Sequence, residues 1–200
     1  MSKKYLLGNG NSKMGKSAFH FSLPPIKTCS PSEWCLHGKN NSPACYALRN
    51  RFTWDAVKNS LENSYIISKQ DNFSDLVIDE INKREIEYLR IHHSGDFYSE
   101  DYIEKWIEIT SNCKDTLFRA STRRRDFTSL LQELNSFPNV VIRESLDSSE
   151  KIPRMNLPVS AVEDCLPISG IDNFYHCIND CQGCKYHCWE SKVNTSFKFH

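Results

Sequence analysis

The chain has no excess of charge. Its 25 Lys and Arg are balanced by 25 Asp and Glu, and the sequence pI is about 7.0. Chain-wide attraction to nucleic acid or an anionic membrane is thereby excluded, although a local basic patch is not. Long apolar runs are also missing. No stretch approaches the ~20 residues of a membrane span. Near the N-terminus, Tyr5-Leu6-Leu7 gives way at once to Gly8-Asn9-Gly10, too short for the apolar region of a secretory signal. Low-complexity segments and long repeats are absent. No Ser–His–Asp or Cys–His arrangement for nucleophilic catalysis stands out. These absences predict one sizeable cytoplasmic domain, with 39% hydrophobic residues to build its core.

Cysteine, by contrast, is abundant. Eight of the nine fall in two clusters, Cys29, Cys35 and Cys45 early, and Cys165, Cys177, Cys181, Cys184 and Cys188 late. In a reducing compartment, clustered thiols are ligands or catalysts rather than disulfides, and an odd count argues against a complete disulfide framework. Thiolates bind zinc or iron at about 2.3 Å. The early three would leave a fourth metal position open for a small molecule, or would form a zinc site closed by His37 or a late cysteine. Four late cysteines within twelve residues, Cys177 to Cys188, can close a site completely. An iron–sulfur cluster, one or two of them, and structural zinc both remain open. Cys45 suits a ligand better than a nucleophile, Cys113 reads as a plain packed or exposed residue, and Trp189 beside Cys188 could shield a metal from water.

Gly10-Asn11-Ser12-Lys13-Met14-Gly15-Lys16-Ser17 matches the phosphate-binding pattern G-x-x-x-x-G-K-S, and Leu76–Glu80 looks like an acidic strand for magnesium. The mechanism requires a strand before the loop and a helix after it. Pro24-Pro25 would end such a helix within two turns, and the alternation Phe19, Phe21, Leu23 reads as strand. A turn between two short strands is the simpler expectation, with anion binding by Lys16 left open and nucleotide binding kept as an alternative function.

Beyond Pro25 the periodicity alternates between helix and strand. Lys4–Leu7 is a short strand candidate. Helices are predicted from Thr53 as N-cap (face Trp54, Val57, Leu61, Tyr65), over Phe73–Glu85, after the Ser99 cap (Tyr102, Ile103, Trp106, Ile107), and over Asp126–Leu134. Strands are predicted at Tyr88–His92, Thr116–Ala120, Asn139–Arg143 and Leu157–Val162. This spacing predicts an α/β fold, a partial (β/α) barrel or an open, mostly parallel sheet with crossover helices. Residues 1–164 would form the α/β domain, and residues 165–200 a small cysteine-rich metal-binding segment packed on it.

Ligands of such folds sit at the carboxyl ends of the strands. Ser94, Gly95, Asp96, Ser121, Thr122, Glu144, Ser145, Glu163 and Asp164 are expected there. Asp96 could bind a ligand ammonium or cap a turn, and His92 and His93 could be structural or functional. Arg119, Arg123, Arg124 and Arg125 form either a solvated basic turn or a contact for nucleotide or nucleic-acid phosphate. Trp54 and Trp106 are expected in the core.

Several runs together resemble the phage "gene product eighty-eight-like" family. They are Tyr5–Lys16, Phe21-Ser22-Leu23-Pro24, Thr28-Cys29, Cys45-Tyr46-Ala47, Ile91–Ser99, Tyr102-Ile103 with Trp106, and the closing Phe197 to His200. The family implies a phage or mobile-element protein, in the host cytoplasm, and brings no established activity. More distantly, the chain resembles radical S-adenosylmethionine enzymes. Those hold a 4Fe-4S cluster on three cysteines at the top of a partial barrel, and Ser94-Gly95-Asp96 sits where their Gly-Gly-Glu motif would. Cys177-x3-Cys181-x2-Cys184 has their cluster spacing, but it follows the strands instead of preceding them. The likeness implies an iron–sulfur enzyme in which Ser94, Gly95, Asp96, Ser121, Thr122 and Ser145 bind S-adenosylmethionine. The early spacing, and Asp96 in place of Glu, depart from that pattern. A zinc-stabilised protein that binds host protein or nucleic acid is the non-catalytic alternative.

Overall fold

A computed structural model of the chain describes residues 5–38 and 42–199. The strands are β1 (Gly8–Asn9), β2 (Ala18–His20), β3 (Tyr88–Arg90), β4 (Leu117–Thr122), β5 (Val140–Leu146), β6 (Val159–Val162), β7 (Tyr175–His176) and β8 (Thr195–Phe197). They form one open sheet in the order β1-β2-β3-β4-β5-β6-β8-β7. Every pairing is parallel except β1 with β2. From β2 to β6 each strand lies beside its predecessor, so right-handed crossovers put the connecting helices on one face.

Those helices are α2 (Asp55–Ser68), α3 (Phe73–Arg84), α4 (Glu100–Asn112) and α5 (Thr128–Ser136), preceded by the short α1 (Glu33–His37). In α4, Ser99 accepts the Tyr102 amide and Glu100 and Asp101 occupy the first turn, where the helix dipole favours carboxylates. Its buried stripe of Tyr102, Ile103, Trp106 and Ile109 meets Phe73, Val77 and Ile81 of α3 and the sheet residues Leu89, Phe118, Ala120, Val140 and Ile142. Trp106 is wholly buried, with the rings of Phe21 and Phe73 each 5.9 Å away. Helix α2 departs from expectation. It starts two residues after Thr53, whose hydroxyl bonds the Asn50 carbonyl instead. Trp54 is 66% exposed rather than in the core.

The Gly10–Ser17 segment is the turn between β1 and antiparallel β2, with no helix after it. Leu76–Glu80 lies inside α3, where Glu80 accepts the Leu6 and Leu7 amides and pins the N-terminal segment. The frame of a phosphate loop with its magnesium strand is therefore missing among the described residues. The Lys4–Leu7 strand candidate is not one. Lys4 lies outside the described residues, and the strand is Gly8–Asn9. His200 also lies outside them.

The opposite face of the sheet is covered by the C-terminal segment. The short helix α6 (His187–Glu190) packs on β4 and β5. Cys188, Trp189 and Tyr186 join Met14 and Ala18, with Tyr88 and Leu117 against them. The wholly buried Arg143 donates to the carbonyls of Cys188 (3.0 Å), Ser191 (2.7 Å) and Val193 (2.9 Å). Two strands of this segment, β7 and β8, continue the sheet. None of the described helices is long and apolar enough to cross a membrane.

Candidate functional site

A cavity of about 520 Å³ lies at the carboxyl ends of the parallel strands. Its sheet side is made by residues of β4, β5 and β6 and by the turns after β3 and β8. Its roof is the loop carrying Cys29, Cys35 and Cys45, and one wall carries Cys177 and Cys181. All six residues expected to bind a ligand, Ser94, Gly95, Asp96, Ser121, Thr122 and Ser145, line it. Glu144 does not. It sits on the helix side of β5, bonded to Arg125 and to the amides of Arg154 and Met155. Glu163 and Asp164 begin the turn after β6, outside the lining.

A relay of side chains fixes the roof. The Asp96 amide donates to Thr28 Oγ1, and the Thr28 hydroxyl donates to the Pro24 carbonyl. The Ser94 hydroxyl donates to the Leu23 carbonyl, and the Ser94 carbonyl accepts the Leu23 amide. Asp96 in turn accepts the amides of Phe97 (2.8 Å) and Arg123 (2.9 Å). Arg123 pairs with the buried Asp147 at 2.9 Å, and Asp147 accepts the Ser32 hydroxyl at 2.6 Å. Ser32 caps α1, which carries Cys35, and the Cys45 amide donates to the Cys35 carbonyl. Gly95 has a φ of +83°, and a Cβ there would lie 2.5 Å from Leu23 Cβ. The Ser94-Gly95-Asp96 run thus seats the loop before Cys29, and Asp96 acts as the turn cap. Asp147 was not legible in the sequence, because its role depends on a partner 115 residues away.

The early thiols share one environment. Burial, with Asp96 and Cys45 adding to it, pushes Cys29 up to about 12, and burial likewise raises Cys45, with Cys35 nearby. Among the late cysteines, burial pushes Cys181 up to about 11, opposed by Arg119. Cys177, Cys184 and Cys188 also act on it. Cys177 Sγ accepts the Asn179 amide at 3.4 Å. Cys165 does not join them. It is buried after β6, near Ser148, Asp147 and Lys151. No group of three or more His, Cys, Asp or Glu side chains among the described residues stands ready to hold a metal ion. The thiols line the cavity without a finished coordination geometry. As a donor set they still fit a thiophilic metal, being half-buried thiols on loops and on the short α1.

The four arginines separate. Arg123 pairs with Asp147, Arg124 with Asp126, and Arg125 with Glu144 and Glu150. They are tied to the protein's own carboxylates, unlike an open phosphate-binding patch. Arg119 is buried on the inner face, its guanidinium 4.7 Å above the Trp189 ring. Arg90, in register with Arg119 on β3, also lines the cavity. The period-two alternation of strands, applied to Arg90 and Arg119, was the available signal for this pair. His92 is buried, hydrogen-bonded to the Tyr102 hydroxyl at 3.0 Å and held by burial near pKa 3. His93 packs against His20 and Tyr46, and its carbonyl accepts the Tyr46 hydroxyl.

A family model described as "Gene product 88" matches residues 3–165, and the chain belongs to that family. No curated protein and no solved structure matches it.

Proposed function

We propose that this member of the Gene product 88 family is an iron–sulfur enzyme whose active site is the cavity at the strand ends. Cys29, Cys35 and Cys45 would hold a 4Fe-4S cluster with one open position, and S-adenosylmethionine is the co-substrate expected there. The observation that carries this reading is the meeting of three early thiols and two late ones on one cavity of about 520 Å³ at the carboxyl ends of parallel strands. That volume suits a cluster together with a small molecule better than a lone structural zinc. Such a cluster supplies low-potential electron transfer when bound.

The chain's own residues do the positioning. The Thr28–Asp96–Arg123–Asp147–Ser32 relay holds the cysteine loop over the sheet edge. Trp34, Tyr46, Trp189 and Phe199 line the cavity with aromatic rings. Cys177, Cys181, Cys184 and Cys188 would hold a second cluster or a zinc ion. Because Arg123, Arg124 and Arg125 are paired internally, the reading favours a small-molecule substrate over nucleic acid.

Anaerobic purification with a visible spectrum and iron, sulfide and zinc counts tests it. The expected result is brown protein carrying about four irons or more per chain. Cys29→Ser, Cys35→Ser or Cys45→Ser should lower that count. Colourless protein holding zinc, with no iron after reconstitution, would overturn the reading and favour the zinc-stabilised binding protein.

A further inference from the structure

We propose that the inner end of the cavity, built on Arg119, receives an oxyanion group, carboxylate or phosphate, of the small-molecule ligand. The inference deepens the proposed function by naming a substrate class. It rests on the cavity being a ligand site, not on which metal the thiols hold.

Arg119 is 7% exposed and lines the cavity. The rings of Trp189 and Phe197, 4.7 and 5.8 Å from its guanidinium carbon, hold its plane. Among the described residues its guanidinium has no ion pair and no hydrogen bond, and Nε is a buried donor without an acceptor. A buried cation left in that state costs several kcal/mol, a cost that an anion entering the cavity would offset.

The neighbouring arginines show the contrast. Arg143, on the same face, is satisfied by three carbonyls, and Arg123 is paired with Asp147. Arg90 stands beside Arg119 in register and adds a second positive charge, its guanidinium 3.3 Å from the Tyr46 hydroxyl. The one carboxyl among the described lining residues is Asp96, already engaged by two backbone amides. Further along the same face of β4, Ser121 meets Ser160 of β6, Oγ to Oγ at 3.1 Å, and both hydroxyls line the cavity. The set is a forked cation, a second cation and two hydroxyls, which is the chemistry that recognises a carboxylate or phosphate. The competing source of negative charge is a metal–thiolate centre on Cys177, Cys181 and Cys188, which lie near Arg119.

The test is calorimetric titration of the full chain, as purified, with sodium phosphate and with sodium acetate at constant ionic strength, chloride serving as the control. Metal content is counted on the same samples. Wild type should bind at least one of the two saturably, and the preferred anion tells phosphate from carboxylate. Arg119→Gln should weaken that binding roughly tenfold or more. Arg119→Lys, which keeps the charge but loses the fork, should fall between and guards against misfolding of the first variant. No saturable binding by wild type would overturn the proposal. So would equal binding by Arg119→Gln, or loss of metal from Arg119→Gln without any change in the anion response. Retained anion binding in protein that never holds iron would sink the cluster reading alone.

Discussion

At the scale of single residues, the site depends on a few atoms without substitutes. Gly95 combines a left-handed φ with contacts that a Cβ would violate. Gly95→Ala should therefore cost roughly 1–3 kcal/mol or more in urea unfolding, since both backbone strain and the Leu23 contact oppose it. His92 gives a pH dependence with a definite sign. Burial, aided by Arg90, holds it near pKa 3 against an ordinary 6.5, so the unfolded chain binds its proton first. Its contribution is fully present above pH 6.5 and is lost as pH falls toward 3. His20 (about 4) and His93 (about 3) act in the same direction. Asp96, raised by burial to about 6, opposes them between about pH 4 and 6. His92→Asn suits the φ of +63° at this position. It should flatten the acid limb of stability against pH, measured by urea unfolding from pH 7 to 4. An unchanged slope would show that His92 is not the group titrating.

At the scale of elements, the C-terminal segment is held by β8 beside β6, by the cluster around Trp189, and by one buried side chain. Arg143 reaches three carbonyls, one in α6 and two on the turn after it. Arg143→Met should leave them without a donor and cost on the order of 3 kcal/mol or more, with faster proteolytic cutting within residues 177–194. Arg143→Lys, able to reach fewer of the three, should fall between. The helices were legible because each carries a local signal. Ser99 and the 102, 103, 106 stripe specify α4, and Phe73, Val77 and Ile81 specify α3. The start of α2 was not, because Trp54 looks like a core anchor in the sequence and only packing decides that it faces solvent. Strands β7 and β8, two and three residues long, carry too little periodicity to read.

At the scale of the whole molecule, the residues after 164 complete the sheet and cover its inner face. Deleting residues 165–200 would expose Tyr88, Leu117, Arg119 and Arg143 together. We expect the truncated chain to be insoluble or to elute as aggregate in size-exclusion chromatography. A monodisperse, cooperatively folding fragment would instead mean that the α/β part closes its inner face alone.

The sequence by itself determined the alternation of helices and strands, the mostly parallel sheet, and the two cysteine groups at opposite ends of the chain. These follow from local periodicity and composition, which each segment carries alone. Only the tertiary structure decided that Cys177 and Cys181 share a cavity with Cys29, Cys35 and Cys45 while Cys165 does not. It also decided that the Asp96 carboxylate accepts the Phe97 and Arg123 amides while its own amide holds the cysteine loop through Thr28, and that Arg123, Arg124 and Arg125 find carboxylates while Arg119 finds none among the described residues. Those outcomes depend on which strand lies beside which, and on residues more than a hundred positions apart meeting at one sheet edge. No local pattern encodes such a meeting.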